Sequence, residues 1–94
     1  MAIAVQLDFP GATLEQYDEL IKKMGLTSGQ TPPGALFHWV AKTDAGICAV
    51  DVWESRESFD KYSEEQIGPL TQEVGIAAPS SVVFYDVHNY LSRS

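Results

Sequence analysis

The order of hydrophobic patterns along the chain constrains its fold more than any other feature. Four short segments are rich in apolar, β-branched and aromatic residues and predict strands at residues 2–9, 35–41, 47–53 and 81–90. Two further segments, after the first and third strands, carry apolar residues at helical spacing. This βαββαβ order predicts an α+β, ferredoxin-like fold with a four-stranded antiparallel sheet and helices on one face.

Both helices have clear start signals. Thr13 followed by Gln16 is a capping box, and Gly25 is a typical C-terminal cap. Ser55 is placed to cap the second helix. Gly68-Pro69 predicts a kink or a split in that helix, because proline is tolerated only in a first turn.

Length and charge limit the kinds of partner. The 94 residues fit one domain, over residues 1–94. A net charge of -7 with only six Lys and Arg disfavours nucleic acid and anionic membranes. No apolar run reaches the roughly 20 residues of a membrane helix, and the N-terminal segment lacks the basic start of a signal peptide. The single Cys48 cannot form an internal disulfide, so we expect a cytoplasmic protein.

Alternation along each strand sorts its residues onto two faces of the sheet. One set is almost wholly apolar or aromatic and is predicted to pack on the helices: Ile3, Val5, Leu7, Phe9, Phe37, Trp39, Cys48, Val50, Val52, Val83, Tyr85 and Val87. The other set mixes apolar with polar residues: Gln6, Asp8, Leu36, His38, Val40, Ile47, Ala49, Asp51, Trp53, Val82, Phe84, Asp86 and His88. The mixed face is too apolar for water and too polar for a plain core. We therefore expect it to face the sheet of a second copy across a cavity, in a homodimer.

Three features carry a resemblance to a known family. They are the βαββαβ order, the segment Val50-Asp51-Val52-Trp53-Glu54-Ser55 and the closing Val87-His88-Asn89-Tyr90. The chain resembles the dimeric α/β-barrel superfamily over essentially its whole length, and within it the small antibiotic-biosynthesis-monooxygenase-like proteins. The resemblance implies a homodimer whose two sheets close into a barrel, with helices outside and a ligand cavity inside. It does not choose a reaction, because members of the superfamily differ in activity.

Two residues are the predicted catalytic pair. His38 can act as a base toward a phenol, because histidine exchanges protons near neutral pH. Asp51 lies in an interior strand and is expected diagonally across the hairpin from His38. Asp8 is expected near Asp51, at the same end of parallel neighbouring strands. For each of these residues the alternative is a structural hydrogen bond.

The remaining candidates are predicted to bind substrate. Trp53 can form an aromatic wall, and its alternative is interface packing. The full set is Gln6, Asp8, Leu36, Val40, Trp53, Phe84, Asp86 and His88. Tyr17 and Tyr62 lie on helical stripes and are predicted to pack in the core. No zinc spacing or phosphate loop occurs, and we expect no metal and no cofactor.

Three functions remain open. The first is a cofactor-independent monooxygenase that oxidises an aromatic or polycyclic substrate with O₂, after His38 removes a phenolic proton. The second is a non-catalytic dimeric protein that binds a small hydrophobic molecule. The third is haem binding or degradation, with His38 or His88 as the axial ligand.

Overall fold

The computed structural model describes residues 2–26 and 30–91. Within these residues the elements are β1 Ile3–Pro10, α1 Leu14–Met24, β2 Ala35–Lys42, β3 Gly46–Trp53, α2 Arg56–Tyr62, a π-helical turn Ser63–Ile67, α3 Gly68–Glu73 and β4 Ser81–Asp86. The strands pair antiparallel in the order β2-β3-β1-β4. The predicted α+β, ferredoxin-like architecture is confirmed. No helix among the described residues is long and apolar enough to cross a membrane.

The helix ends follow the capping signals. The Thr13 hydroxyl accepts the Gln16 N–H at 3.1 Å, and the Gln16 side chain accepts the Thr13 N–H at 2.9 Å. Gly25 ends α1 in the left-handed region, with φ at 73°. Ser55 caps α2 by accepting the Ser58 N–H at 3.1 Å. The predicted helix boundaries are therefore confirmed on local chemistry alone.

A π-helical turn separates α2 from α3. Gly68 N–H bonds the carbonyl of Ser63, five residues back, and Pro69 lies in the first turn of α3. Proline has no N–H to donate there, so the second helix is split as predicted. Tyr62, just before the turn, and Ile67, its last residue, both line the cavity described below.

The last strand is shorter than predicted. β4 ends at Asp86, whereas the alternating pattern predicts a strand to Tyr90. Asp86 lies opposite Ile3, the first residue of β1, and past that pair the Val87 N–H still bonds the Ala2 carbonyl at 3.1 Å, but the described residues form no further strand pairing. His88 and Tyr90 consequently lie outside the sheet.

The register decides which residues share a face. Val5 lies opposite both Asp51 and Phe84, and Asp51 lies opposite His38. Directly opposed residues project to the same side of a sheet. The face under the helices, here the covered face, carries Ile3, Val5, Leu7, Phe9, His38, Val40, Ile47, Ala49, Asp51, Trp53, Val82 and Phe84. The opposite, open face carries Ala4, Gln6, Asp8, Phe37, Trp39, Ala41, Cys48, Val50, Val52, Val83 and Tyr85.

The predicted face assignment is correct for β1 and wrong for β2, β3 and β4. The prediction placed the apolar sets of all four strands on one face of the sheet. The observed register instead places the apolar set of β1 on the same face as the mixed sets of β2, β3 and β4. His38, Asp51 and Trp53 therefore lie under the helices, and Cys48 lies on the open face. The expectation that these residues face a second sheet across a cavity is wrong, because the cavity lies between the sheet and the helices of one chain. β1 and β3 are antiparallel, so Asp8 lies opposite Cys48 and on the other face from Asp51. The predicted closeness of Asp8 and Asp51 is wrong.

The core lies between the covered face and the helices. Val5 and Trp53 are 0% and 1% exposed, and Phe59 of α2 packs against them. A second group joins Leu20 of α1 to Ile47 of β3. Full burial of such side chains stabilises a fold by about 1.5–3 kcal/mol each. These contacts hold the helices over the polar residues of β2 and β3.

Candidate active site

A cavity of about 850 Å³ lies between the covered face and the helices. Its volume falls in the range of about 300–1,000 Å³ that is usual for small-molecule sites. The wall is mainly apolar and aromatic, with Leu20 and Met24 from α1, Ile47 and Trp53 from β3, and Tyr62 from α2. Among the described residues the lining contains Asp18 and Asp51 but no Lys or Arg. The cavity therefore favours a neutral, largely apolar ligand over an anion.

His38 and Asp51 form the polar centre of this cavity. They are directly opposed on β2 and β3, not diagonal as predicted, and His38 Nδ1 bonds Asp51 Oδ1. Trp53 Nε1 donates to the other carboxylate oxygen at 3.3 Å. Asp51 is only 7% exposed. An ionised carboxylate only accepts hydrogen bonds, so His38 in its neutral form carries its proton on Nδ1 and has Nε2 as its basic nitrogen.

Tyr17 completes the arrangement from the helical side. Its hydroxyl lies 2.6 Å from His38 Nε2, and the two rings are within 17° of parallel. Because Nε2 has no proton, the Tyr17 hydroxyl is the donor. Tyr17, His38, Asp51 and Trp53 thus form one hydrogen-bonded series, here called the proton network, from α1 to β3.

The surroundings keep Tyr17 in its neutral form. Burial raises the pKa of the Tyr17 phenol, and the negative charges of Asp51 and then Asp18 raise it further. Burial also raises the pKa of Tyr62. The proton network can take up one proton at His38 and hold the resulting cation beside the Asp51 carboxylate. No group of three or more His, Cys, Asp or Glu side chains in the described part of the chain is arranged to hold a metal ion.

Comparisons with known proteins identify the fold. No family model matches the sequence, and no curated protein matches it. A protein from Chloroflexus aurantiacus assigned by name to the antibiotic biosynthesis monooxygenases is 24% identical, with 98% of each chain covered and a TM-score of 0.62. SnoaB, a cofactor-independent oxygenase from Streptomyces nogalater, is 15% identical, with 98% of this chain and 96% of that chain covered and a TM-score of 0.57. A Streptomyces coelicolor monooxygenase in complex with nanaomycin D is 18% identical, with 99% and 92% covered and a TM-score of 0.56.

This chain has the antibiotic biosynthesis monooxygenase fold. The resemblance read from the sequence is thereby confirmed at the level of the fold. At these identities the likeness establishes the architecture and leaves the reaction to be argued from the site.

Half of the predicted site residues meet in the cavity. His38, Asp51, Leu36, Val40 and Trp53 all line it. This placement follows from the register, which brings the mixed sets of β2 and β3 to the covered face.

The other predicted site residues lie elsewhere. Gln6 and Asp8 are on the open face, and Asp86 and His88 are exposed at and beyond the end of β4. Phe84 is on the covered face, but its ring packs edge-on against Phe59 with centroids 5.5 Å apart, outside the cavity lining.

Tyr17 is the functional candidate that the sequence reasoning missed. Its place on the apolar stripe of α1 predicts core packing, and that packing is present. The overlooked signal is its hydroxyl, because a buried tyrosine needs a hydrogen-bond partner. No pattern in the sequence names that partner, which lies 21 residues away on β2.

Proposed function

We propose that this protein is a cofactor-independent monooxygenase that oxidises a neutral aromatic or polycyclic phenol with O₂ in the cavity. The observation that carries the proposal is the His38–Asp51 pair at the centre of a large apolar cavity. The same fold in SnoaB, a cofactor-independent oxygenase, supports it.

The proton network would supply the first step. The phenol loses its proton to the network, His38 Nε2 gains one, and the imidazolium is stabilised by Asp51. The resulting phenolate is electron-rich enough to reduce O₂, and the two combine at a ring carbon to form a peroxide. Loss of water from that carbon leaves a quinone, so one oxygen atom of O₂ is retained and the other leaves as water. Phenol plus O₂ thus balances quinone plus water.

The lining of the cavity supports a planar, uncharged substrate. Tyr62 offers a partly exposed aromatic surface, and the buried Trp53 packs against it with ring centroids 5.6 Å apart. Aromatic ligands gain from offset or edge-on contact with such rings. With no Lys or Arg among the described lining residues, an anionic substrate would enter without a counter-charge.

Oxygen uptake tests the proposal directly. Wild-type protein should consume O₂ with 1-naphthol above the background of spontaneous oxidation. His38→Ala should lower that rate by about 10²–10⁴-fold, the usual contribution of a general base. His88→Ala is the matched control, because it removes the second of the two histidines and lies outside the cavity.

Binding separates the two leading functions. Quenching of tryptophan fluorescence by nanaomycin D, the ligand of the Streptomyces coelicolor relative, should be similar in wild type and His38→Ala. Equal turnover in wild type and His38→Ala would remove His38 as the base. Firm binding of several aromatic compounds with no oxygen uptake would favour the non-catalytic ligand-binding protein.

A homodimer is the assembly we propose. The open face exposes Phe37, Trp39, Val83 and Tyr85, with Tyr85 55% exposed. An apolar sheet face of this extent is rarely left in water. A second copy packed face to face would cover it, and the cavity of each copy would remain on the other side of its own sheet.

Haem binding through His38 is the least supported alternative. The Tyr17 hydroxyl already occupies Nε2, the nitrogen that an iron would need. Haem would have to displace Tyr17, which is held by the packing of α1. We expect a titration with hemin to give no shifted Soret band, and a shifted band lost in His38→Ala would reverse this ranking.

A further inference from the structure

We propose that Tyr17 is a catalytic residue: the substrate gives its phenolic proton to the Tyr17 oxygen while the Tyr17 proton moves to His38 Nε2. This inference rests on the proposed function, since it specifies how that base is reached. The cavity end of the proton network is then Tyr17, and His38 does not touch the substrate.

The hydrogen bonds of His38 leave no other direct route. Nδ1 is committed to Asp51, and Nε2 is committed to the Tyr17 hydroxyl at 2.6 Å. An imidazole nitrogen has one in-plane position for a hydrogen bond, so a substrate cannot reach Nε2 while Tyr17 is bound there. The remaining lone pair of the Tyr17 oxygen is the acceptor that continues the series, and Tyr17 lines the cavity.

Displacement of Tyr17 is opposed by the way α1 is held. The Gln16 side chain donates to the carbonyls of Val74 and Gly75 at 3.3 and 3.2 Å while its oxygen accepts the Thr13 N–H. One residue therefore ties the first turn of α1 to the end of α3. This tie holds the helix backbone next to Tyr17, and the Tyr17 ring packs against the core around Leu20, so its hydroxyl is held at His38 before a substrate arrives.

The proton transfer balances without any additional reactant. The substrate O–H bond and the Tyr17 O–H bond break, and a new Tyr17 O–H bond and a His38 Nε2–H bond form. The products are a phenolate, a neutral Tyr17 and an imidazolium beside Asp51. Tyr17 then donates a hydrogen bond to the phenolate, and a charged acceptor strengthens that bond.

The neutral resting state of Tyr17 agrees with this role. A tyrosine that stays protonated can donate its proton to His38 and can accept a second proton on a lone pair of its oxygen. Asp18, the other acidic residue in the lining, is exposed and adds negative charge near the hydroxyl. The substrate class that fits is a neutral phenol that ionises only after it is bound.

Anaerobic binding of 4-nitrophenol tests the relay without turnover, because the phenolate form of this probe absorbs at longer wavelength than the neutral form. The protein should raise the ionised fraction of the bound probe at a pH below its pKa in water. Tyr17→Phe keeps the ring and removes the hydroxyl, and it should lower the ionisation constant of the bound probe about tenfold or more. Tyr90→Phe, which deletes a hydroxyl away from the cavity, is the matched control.

A double-variant comparison shows whether Tyr17 acts through His38. In the His38→Ala background, Tyr17→Phe should cause little further loss, because the network is already interrupted. An equal loss in both backgrounds would overturn the relay. Unchanged or increased ionisation of the bound probe in Tyr17→Phe would also overturn the relay, because Tyr17 would then only block access to His38 Nε2.

The outcomes separate this inference from the proposed function. Ionisation that needs His38 but not Tyr17 would remove the relay and leave the base in place. Ionisation that needs both residues, without oxygen uptake from naphthols, would keep the relay and remove the monooxygenase reaction.

Discussion

The covered face and the open face of the sheet differ in burial in a way that the polarity of their residues does not predict. The covered face carries the polar pair His38 and Asp51, yet it is the buried one, and Asp51 is 7% exposed. The open face carries mainly aliphatic and aromatic side chains, and Trp39 there is 43% exposed. Polarity therefore does not tell which side the helices cover. A polar group can be buried where its hydrogen bonds are made, and an apolar group can face outward where a second copy covers it.

The largest expected effect is on the open face. Trp39→Asp places a charge in the proposed dimer interface and should weaken dimerisation about 100-fold or more. Leu14→Asp is the control, because Leu14 is a similarly exposed apolar residue, at 44%, that lies on α1. Sedimentation equilibrium measures both. Equal dimer affinity in the two variants, or a wild-type monomer, would show that something other than a second copy covers this face.

The next largest expected effect is a loss of stability on the covered face. Asp51→Ala leaves the Nδ1–H of His38 and the Nε1–H of Trp53 without their acceptor. The free energy of unfolding should fall by about 1–3 kcal/mol, measured by urea denaturation at one fixed protein concentration. Asp86→Ala, on an exposed strand end, should change it by less than about 0.5 kcal/mol. Similar values for both variants would mean that the buried pair contributes no more than a surface carboxylate.

Alkaline pH should reduce the stability that Tyr17 contributes on the covered face. The native state keeps the Tyr17 proton more tightly than the unfolded chain, whose tyrosine titrates near 10.0. The stabilisation from Tyr17 is therefore fully present below that pH and is lost as the pH rises toward the raised native pKa. The stability difference between wild type and Tyr17→Phe should shrink over this range. Asp51→Asn should lower the pKa of Tyr17 but leave that of Tyr62, which only burial raises. A constant difference would contradict this account.

The smallest expected loss of stability is at the β4 edge of the covered face. The guanidinium of Arg56 lies 3.5 Å above the Phe84 ring and also pairs with Asp60 at 3.2 Å. Arg56→Ala should lower the free energy of unfolding by about 0.5–1 kcal/mol. A double-mutant cycle with Phe84→Leu isolates the contact with the ring. A coupling energy of zero would assign the whole loss to Asp60 and to packing of the Arg56 stem.

Local chemistry in the sequence was enough for the elements and their order. Thr13 with Gln16, Gly25, Ser55 and Gly68-Pro69 each act within a few residues, so their consequences can be predicted without any tertiary contact. The strand order then restricted the sheet to a ferredoxin-like arrangement. His38, Asp51 and Trp53 were also predicted as candidate site residues from their strand positions, and they line the cavity.

Only the tertiary structure decided the register and the partners. A shift of one residue between neighbouring strands exchanges the faces, and the sequence holds two sets of plausible core residues for β2, β3 and β4. The contact between Tyr17 and His38 depends on how α1 lies over β2, which is fixed by packing around Leu20 and by the Gln16 bonds to the end of α3. The sequence by itself determined which elements form and where the helices begin, because those signals are local, whereas the end of β4 depended on the length of its partner strand. The structure decided which face became the site, because that choice depends on contacts between residues far apart in the chain.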